Sequence, residues 1–293
     1  MTGAMRVATW NLNRRGVLAV EGLGGLIRKP GVDLLLAQEL NIGIGEHLIE
    51  HAGLDWIVTA FDAGASSEGL GRGRKHAAAA IAGRGVPPRR IGLLPGATLE
   101  ERAVWASFDS AAGEISVMSY HAPPGVSWGP VKVAHAHALH DWIGDQTGPV
   151  IVGADANTPE VDHPDPELTR THWHTGARRL KGQLGDDVTF GGSPTHGLRD
   201  AYRVWLDAHP DEMDRIRRER PQGPLALTHR TGRRKDSPGH ARRFDAVWVS
   251  RDVEVVGVKH HYDEALKAGT DHALVIADLT WPAERPPLSS GAT

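Results

Sequence analysis

The sequence predicts one α/β domain, a four-layer α/β/β/α sandwich in which two mixed or mostly antiparallel sheets pack face to face with helices outside. Two observations lead there. Short apolar runs of strand type alternate with stretches of helical spacing, and each run carries a polar residue at one end: Asn11, Glu39, His121, Asp155, Asp245 and the pair Asp271-His272. Sheets build sites from polar groups at the tips of several strands, so these tips are expected to meet at one edge. They are scattered over the whole chain, and two independent halves could not converge on one spot. The domain is therefore expected to span residues 1–280. The Pro- and Ser-rich residues 281–293 are expected to form a disordered tail.

The elements follow in order. Met5 to Trp10 is a strand that ends in Asn11-Leu12-Asn13. From Arg14 to Lys29, Val17, Leu18, Val20, Leu23, Leu26 and Ile27 fall at loosely helical spacing, weakened by Gly16, Gly22, Gly24 and Gly25 and stopped by Pro30-Gly31. Val32 to Ala37 is a strand running into Gln38-Glu39. Residues 46–51 suit a short helix, 56–60 a strand, and 76–82 a strand bounded by glycines and prolines. Between the last two, residues 63–75 form a loop with Arg72, Arg74 and Lys75, either solvated or a phosphate-contacting edge. Ala103 to Asp109 and Glu114 to Tyr120 make a hairpin, and the second arm ends in His121-Ala122-Pro123-Pro124.

Val131 to Asp145 is helical. Its His135, His137 and His140 read as solvated or packing residues, because His135 and His137 do not share a helix face. Val150 to Val152 is a buried strand closed by Asn157-Thr158-Pro159. Asp155 and Asn157 lie two apart, which in a strand points both to one side. Asp-x-Asn is also a common turn; its repetition in kind at other strand ends favours a site. Residues 160–198 are the least regular and should lie beside that site, and residues 198–205 start a helix. Residues 213–243 are rich in arginine, among them Arg217, Arg218, Arg233 and Arg234. They form either a flexible surface loop or a polyanion-binding rim, since clustered arginines bind phosphates bidentately. Phe244 to Val249 and Ala273 to Ala277 complete the strands.

Composition narrows the classes. Hydrophobic residues make up 40% of 293, enough for a substantial core. There is no cysteine, which excludes disulfides and thiolate metal sites. The net charge of −3 gives no overall nucleic-acid signature, so a polyanion would have to be met by a local patch. No apolar run reaches the roughly 18 residues of a membrane span, and no signal-peptide core precedes the first strand. A soluble, cytoplasmic protein is the expectation.

Six segments, read in order, resemble the endonuclease/exonuclease/phosphatase family of DNase I-like metal-dependent phosphoesterases. They are Thr9-Trp10-Asn11, Gln38-Glu39, His121-Ala122-Pro123, Gly153-Ala154-Asp155-Ala156-Asn157, Arg243-Phe244-Asp245 and Thr270-Asp271-His272. Residues 198–203 resemble the family's "hxDxxR" segment, and Leu227-Thr228-His229 its short strand before Arg243. The chain departs from the pattern at four places: an alanine is inserted between Gly153 and Asp155, Ala156 replaces an aromatic residue, Thr270 replaces serine, and Asn13 stands where nucleases often have aspartate.

The resemblance implies a phosphoesterase, most simply a nuclease on DNA or RNA. It implies Mg²⁺ or Mn²⁺ bound by hard oxygen ligands, Glu39 first, with Asn11 and Asp271. Asp155 and Asn157 would position and activate water, and His272, oriented by Asp245, would bind a phosphate oxygen or shuttle a proton. His121 would contact the phosphate or assist the leaving group. Inositol phosphates, phospholipid head groups or small nucleotides are the alternative substrates. A non-catalytic binding module is the alternative of another class.

Overall fold

Residues 77–83 and 150–155 are buried at every position. A strand covered on both faces belongs to a sheet lying between two other layers, and the remaining elements supply those layers. The structure, a computed structural model, describes residues 3–68, 70–71, 76–110, 113–124, 128–171, 185–232 and 239–281. In chain order it contains β1 (Ala4–Asn11), α1 (Val20–Arg28), β2 (Leu34–Asn41), α2 (Gly45–Ala52), β3 (Trp56–Thr59), β4 (Ala77–Gly83), β5 (Arg90–Leu93), β6 (Ala103–Ser110) and β7 (Gly113–His121). There follow α3 (Pro130–Gly144), β8 (Val150–Asp155), α4 (Gly185–Phe190), β9 (Arg199–Asp200), α5 (Ala201–Asp207) and α6 (Pro210–Glu219). The last part holds β10 (His229–Thr231), β11 (His240–Arg242), β12 (Asp245–Val249), β13 (Glu254–His261), α7 (Tyr262–Ala268) and β14 (Leu274–Thr280).

The strands form two six-stranded sheets, in the orders β13-β14-β1-β2-β4-β3 and β5-β6-β7-β8-β12-β9, with β10-β11 as a separate hairpin. Each large sheet holds one parallel pair at its centre, β1 with β2 and β7 with β8, and is otherwise antiparallel. Side chains sort by the strand period of two. Val7, Leu34, Leu36, Ile151 and Val247 fill the space between the sheets. Their neighbours Ala8, Leu35 and Ala37 face Leu23 and Ile27 of α1 and Leu48 of α2. On the far side, Val150, Val152 and Met118 face Leu139 and Trp142 of α3. The predicted four layers are those observed.

Two glycines show why the layers can approach. In α1, a Cβ on Gly24 would come within 2.4 Å of His51 Cβ, so the glycine that weakens the helix lets α1 lie against α2. In β8, a Cβ on Gly153 would sit 2.7 Å from Leu36 and 2.9 Å from Thr9, side chains of the opposite sheet. The Gln38 amide nitrogen crosses the same gap. It lies within 3.0–3.2 Å of Leu36 O, Thr9 Oγ1, Ser119 Oγ and Gly153 O. The sheets are thus hydrogen-bonded to one another just below the polar tips, at a fully buried side chain.

Several expectations are corrected. β2 does not stop before Gln38 but runs to Asn41 through a register shift between Ala37 and Leu40, so Glu39 sits in a bulge. Residues 213–219 of the arginine-rich segment 213–243 belong not to a loop but to a helix, α6, with an apolar face of Met213 and Ile216. β5 and β13 are added edge strands, and α7 an added helix. Trp281, placed in the expected tail, is buried and its N–H donates to Gly3 O at 2.9 Å. Residues 282–293, and the candidate phosphate edge Arg72, Arg74 and Lys75, lie outside the described residues.

Gly153→Ala must push Leu36 or Thr9 aside at the closest approach of the sheets. It is expected to lower stability by about 1–3 kcal/mol, read as a lower urea midpoint with an unchanged slope. An unchanged midpoint would show that the gap is not tight.

Candidate active site

Register brings the strand tips into one row. His121 pairs with Asp155 across β7–β8, and Asp155 pairs with Asp245 across β8–β12. In the other sheet, Asn11 pairs with Gln38 across β1–β2. Thr270, Asp271 and His272 arrive at the same edge just before β14, where Thr270 Oγ1 donates to Asn11 O at 2.7 Å. The threonine that replaces serine therefore still supplies the hydroxyl. The inserted Ala154 is an ordinary buried strand residue paired with Ala246.

Asp155 is 1% exposed and held from two sides. Asn11 Nδ2 donates to its Oδ2 at 2.7 Å, and Asn157 N–H to its Oδ1 at 3.1 Å. Asn157 does not share a strand face with Asp155, as strand spacing suggested. The strand ends at Asp155, Asn157 turns to φ 47°, and its Nδ2 donates to Ala122 O at 3.0 Å. Lys132 of α3 donates to Asn157 O at 3.0 Å and braces the turn.

His272 Nδ1 lies 3.0 Å from both oxygens of Asp245 and 3.9 Å from Asp155 Oδ2. Burial alone would lower its pKa; Asp245 and Asp155 outweigh burial and raise it to about 10. Burial holds Asp245 above the ordinary carboxylate value, with His272 pulling the other way. The His229 ring stacks on His272 at 4.2 Å, and its Nδ1–H donates to Asp271 O at 3.1 Å. The Thr228 hydroxyl oxygen accepts from Phe244 N and Asp245 N at 2.9 and 3.2 Å.

His121 lies on the other flank, its Nε2 3.5 Å from Asp155 Oδ2 and 3.8 Å from Glu39 Oε1. Arg102 Nη1 is 3.1 Å from each ring nitrogen. Burial first, then the charges of Arg102 and His272, hold His121 well below the ordinary imidazole pKa, so its ring is neutral and accepts from Arg102. Sequence reasoning passed over Arg102, although the hairpin held the signal: Ala103 pairs with Tyr120, and one step further along the same register sets Arg102 beside His121.

Glu39 and Asp271 come to the same edge, joined through the turn between them. Asn13 Nδ2 donates to Asp271 Oδ1 at 2.6 Å, and Arg14 Nη2 to Glu39 Oε1 at 3.0 Å. Asn13 thus holds by hydrogen bond the place where a carboxylate was expected. Glu39, Asp271 and Asn11 each offer hard oxygen atoms of the kind Mg²⁺ or Mn²⁺ prefers, and the Glu39 side chain is 17% exposed. Asp155, Asp245 and His272 also bring ligand atoms within 4.8 Å of one another. Within that set, His272 Nδ1 is already hydrogen-bonded to the Asp245 carboxylate. Among the described residues, the four non-glycine positions with positive φ are Asn13, Arg14, Glu39 and Asn157, all in this site. Strained backbone of this kind clusters where function requires it.

The arginines are largely engaged elsewhere. Arg243 is buried between Asp162 and Asp200, with Nε 2.7 Å from Asp162 Oδ2, and Arg203 reaches Asp162 Oδ1 at 2.6 Å. This network anchors the start of β12 and hence Asp245. Arg215 pairs with Glu212 and Glu219, and Arg217 with Asp214 at 3.1 Å. Arg217 and Arg218 are exposed in the last turns of α6. Arg233 and Arg234 lie outside the described residues.

The sequence model of the Endonuclease/Exonuclease/phosphatase family matches residues 8–272, from the first strand to His272. The chain belongs to this family. Its members are hydrolytic phosphoesterases that use divalent metal ions. No curated protein sequence matches the chain. Among solved structures, zebrafish (D. rerio) TDP2 complexed with a single-stranded DNA product aligns with TM-score 0.63 at 14% identity, over 94% of this chain and 99% of that one. The Xenopus laevis APE2 catalytic domain aligns with TM-score 0.57 at 16% identity, over 96% and 94%. An endonuclease/exonuclease/phosphatase from Beutenbergia cavernae gives 0.59 at 17%, over 95% and 72%. At these identities the likeness is one of fold. No helix among the described residues is long and apolar enough to cross a membrane.

The raised pKa of His272 has a signed consequence. Its folded value, about 10, lies above the ordinary 6.5, so its stabilisation is fully present below about pH 6.5 and is lost as pH rises towards 10. Urea unfolding of wild type and His272→Gln should show a stability gap that is present at pH 6.5 and narrows as pH rises across that window. A gap independent of pH between 6.5 and 10 would contradict a charged His272.

Proposed function

We propose that the chain is a divalent-metal-dependent nuclease that hydrolyses phosphodiester bonds of DNA or RNA. The observation that carries this reading is the row His121–Asp155–Asp245, joined by His272, opening at the edge that also holds Glu39. A phosphodiester is anionic, so hydrolysis needs charge neutralised, a water made reactive and a leaving oxygen stabilised. Glu39, with Asp271 and Asn11, would hold Mg²⁺ or Mn²⁺, which supplies Lewis-acid polarisation of the phosphoryl oxygen.

The chain's own groups supply the rest. Asp155 is the base for the attacking water, fixed by Asn11 and by the Asn157 backbone. Asn157, its amide nitrogen committed to Ala122, keeps its side-chain oxygen to orient that water. His272 turns its Nδ1–H to Asp245, so its other N–H is the donor for a phosphate oxygen, and Asp245 sets that orientation. His121 is neutral, which suits contact with the phosphate rather than delivery of a proton to the leaving group.

The single-stranded DNA product bound to D. rerio TDP2 supports nucleic acid as the substrate class. Arg217 and Arg218, with Arg233 and Arg234, are the proposed rim for a polymer. The ion pairs of Arg215, Arg217 and Arg243 leave fewer arginines for that rim than the sequence count suggests. This keeps small phosphoesters, such as inositol phosphates, phospholipid head groups or nucleotides, as the second reading.

Purified protein is expected to cleave single- or double-stranded DNA or RNA with Mg²⁺ or Mn²⁺ and to lose this on chelation. Asp155→Asn should cost about 10²–10⁴-fold in rate, and polymer cleavage should fall steeply with added salt. Replacing the four rim arginines by alanine should raise KM for a polymer and leave a small chromogenic phosphodiester untouched. Activity that survives thorough chelation would overturn the metal assignment. Turnover of small phosphoesters without cleavage of any polymer would establish the second reading.

A further inference from the structure

Glu39, the carboxylate best placed for a divalent ion, already faces a cation. Arg14 contacts it twice, through Nη2 to Oε1 at 3.0 Å and through its backbone N–H to Glu39 O at 2.9 Å. The backbone on both sides of this contact has positive φ. Asn13, Arg14 and Glu39 have φ of 47°, 53° and 48°, a region that side chains other than glycine rarely occupy. An ion pair with one exposed partner contributes little by itself, so the strain is not explained by the pair alone. The Arg14 side chain is 43% exposed and that of Glu39 17%. The guanidinium can therefore leave while the carboxylate stays. Arg14, Glu39, Glu101, Arg102 and His121 line one small cavity, and the Arg14 charge is felt at His121.

A carboxylate oxygen that accepts from a guanidinium is a poorer ligand for a divalent ion, and the two cations repel. Each must weaken the other's hold on Glu39. We propose that Arg14 is a phosphate-binding residue coupled to the metal site: it rests on Glu39, is displaced when a divalent ion takes that carboxylate, and turns outward to a phosphate bound at the mouth of that cavity. The inference rests on the metal-dependent reading above. It adds a residue that links metal to substrate, so that a phosphate is held by Arg14 only once the metal is in place. The coupling is reciprocal by thermodynamic necessity.

The test is Mn²⁺ binding, read from the free-Mn²⁺ paramagnetic resonance signal, for wild type, Arg14→Gln, Arg14→Ala and Glu39→Gln, each with a normal thermal unfolding transition. Both Arg14 variants should bind Mn²⁺ about two- to fivefold more tightly than wild type, the scale of a lost exposed ion pair. Thymidine 5′-monophosphate should then tighten Mn²⁺ binding by a larger factor in wild type than in either variant. Mn²⁺ binding that depends on Glu39 but is unchanged or weaker in the Arg14 variants overturns the Arg14 inference and leaves the metal reading standing. So does an equal effect of the nucleotide in all three. Wild-type protein whose Mn²⁺ binding is absent or indifferent to Glu39→Gln overturns the metal reading, and this inference with it.

Discussion

Two carboxylates, Asp155 and Asp245, stand side by side in register, 1% and 0% exposed. Burial, with the Asp155 charge beside it, raises the cost of ionising Asp245, and much of the site is arranged to compensate these two buried carboxylates. His272 does most of it by placing one N–H against Asp245 and its positive charge near Asp155. Asn11 and the Asn157 backbone satisfy Asp155 from the other sides. Removing one partner of such a buried group leaves an uncompensated charge, which is far more costly than losing a surface pair. The proposed chemistry draws on the same arrangement, a carboxylate held by donors and kept from bulk water beside the His272 imidazole.

The scaffold's task is to keep that row in place. Gln38 and Gly153 fix the separation of the sheets a residue or two below it, one by hydrogen bonds and the other by having no side chain. On the outer side, the buried Arg243 between Asp162 and Asp200 pins the first residues of β12. Burial alone would raise the pKa of Asp162; Arg243 and Arg203 outweigh it and hold the group below its ordinary value. The strained positions Asn13, Arg14, Glu39 and Asn157 are tolerated because this frame over-determines them.

Much of this was legible in the chain. Strands with polar ends give themselves away because the period of two separates core residues from tips, and register did the rest for His121, Asp155 and Asp245. What strand spacing could not convey is what happens after a strand stops. Asn157 lies beyond that point, and its position is set by hydrogen bonds to Asp155 and Ala122. Glu39 sits in a bulge, where one residue against the register changes the direction of a side chain. β13 was missed because it is an edge strand with most positions partly exposed and a register break near Gly257. α6 was missed because arginine density drew the eye, while Glu212, Arg215 and Glu219 at helical spacing carried the better signal.

The central claim is that Glu39 and its neighbours at this strand edge hold the divalent ion beside the Asp155–His272–Asp245 row. Anomalous difference density from Mn²⁺-soaked crystals tests it directly. The account predicts a peak in contact with the Glu39 carboxylate, at the edge shared by Asn11 and Asp271. A peak bound by Asp155, Asp245 and His272 instead, or one away from Glu39 altogether, would contradict it.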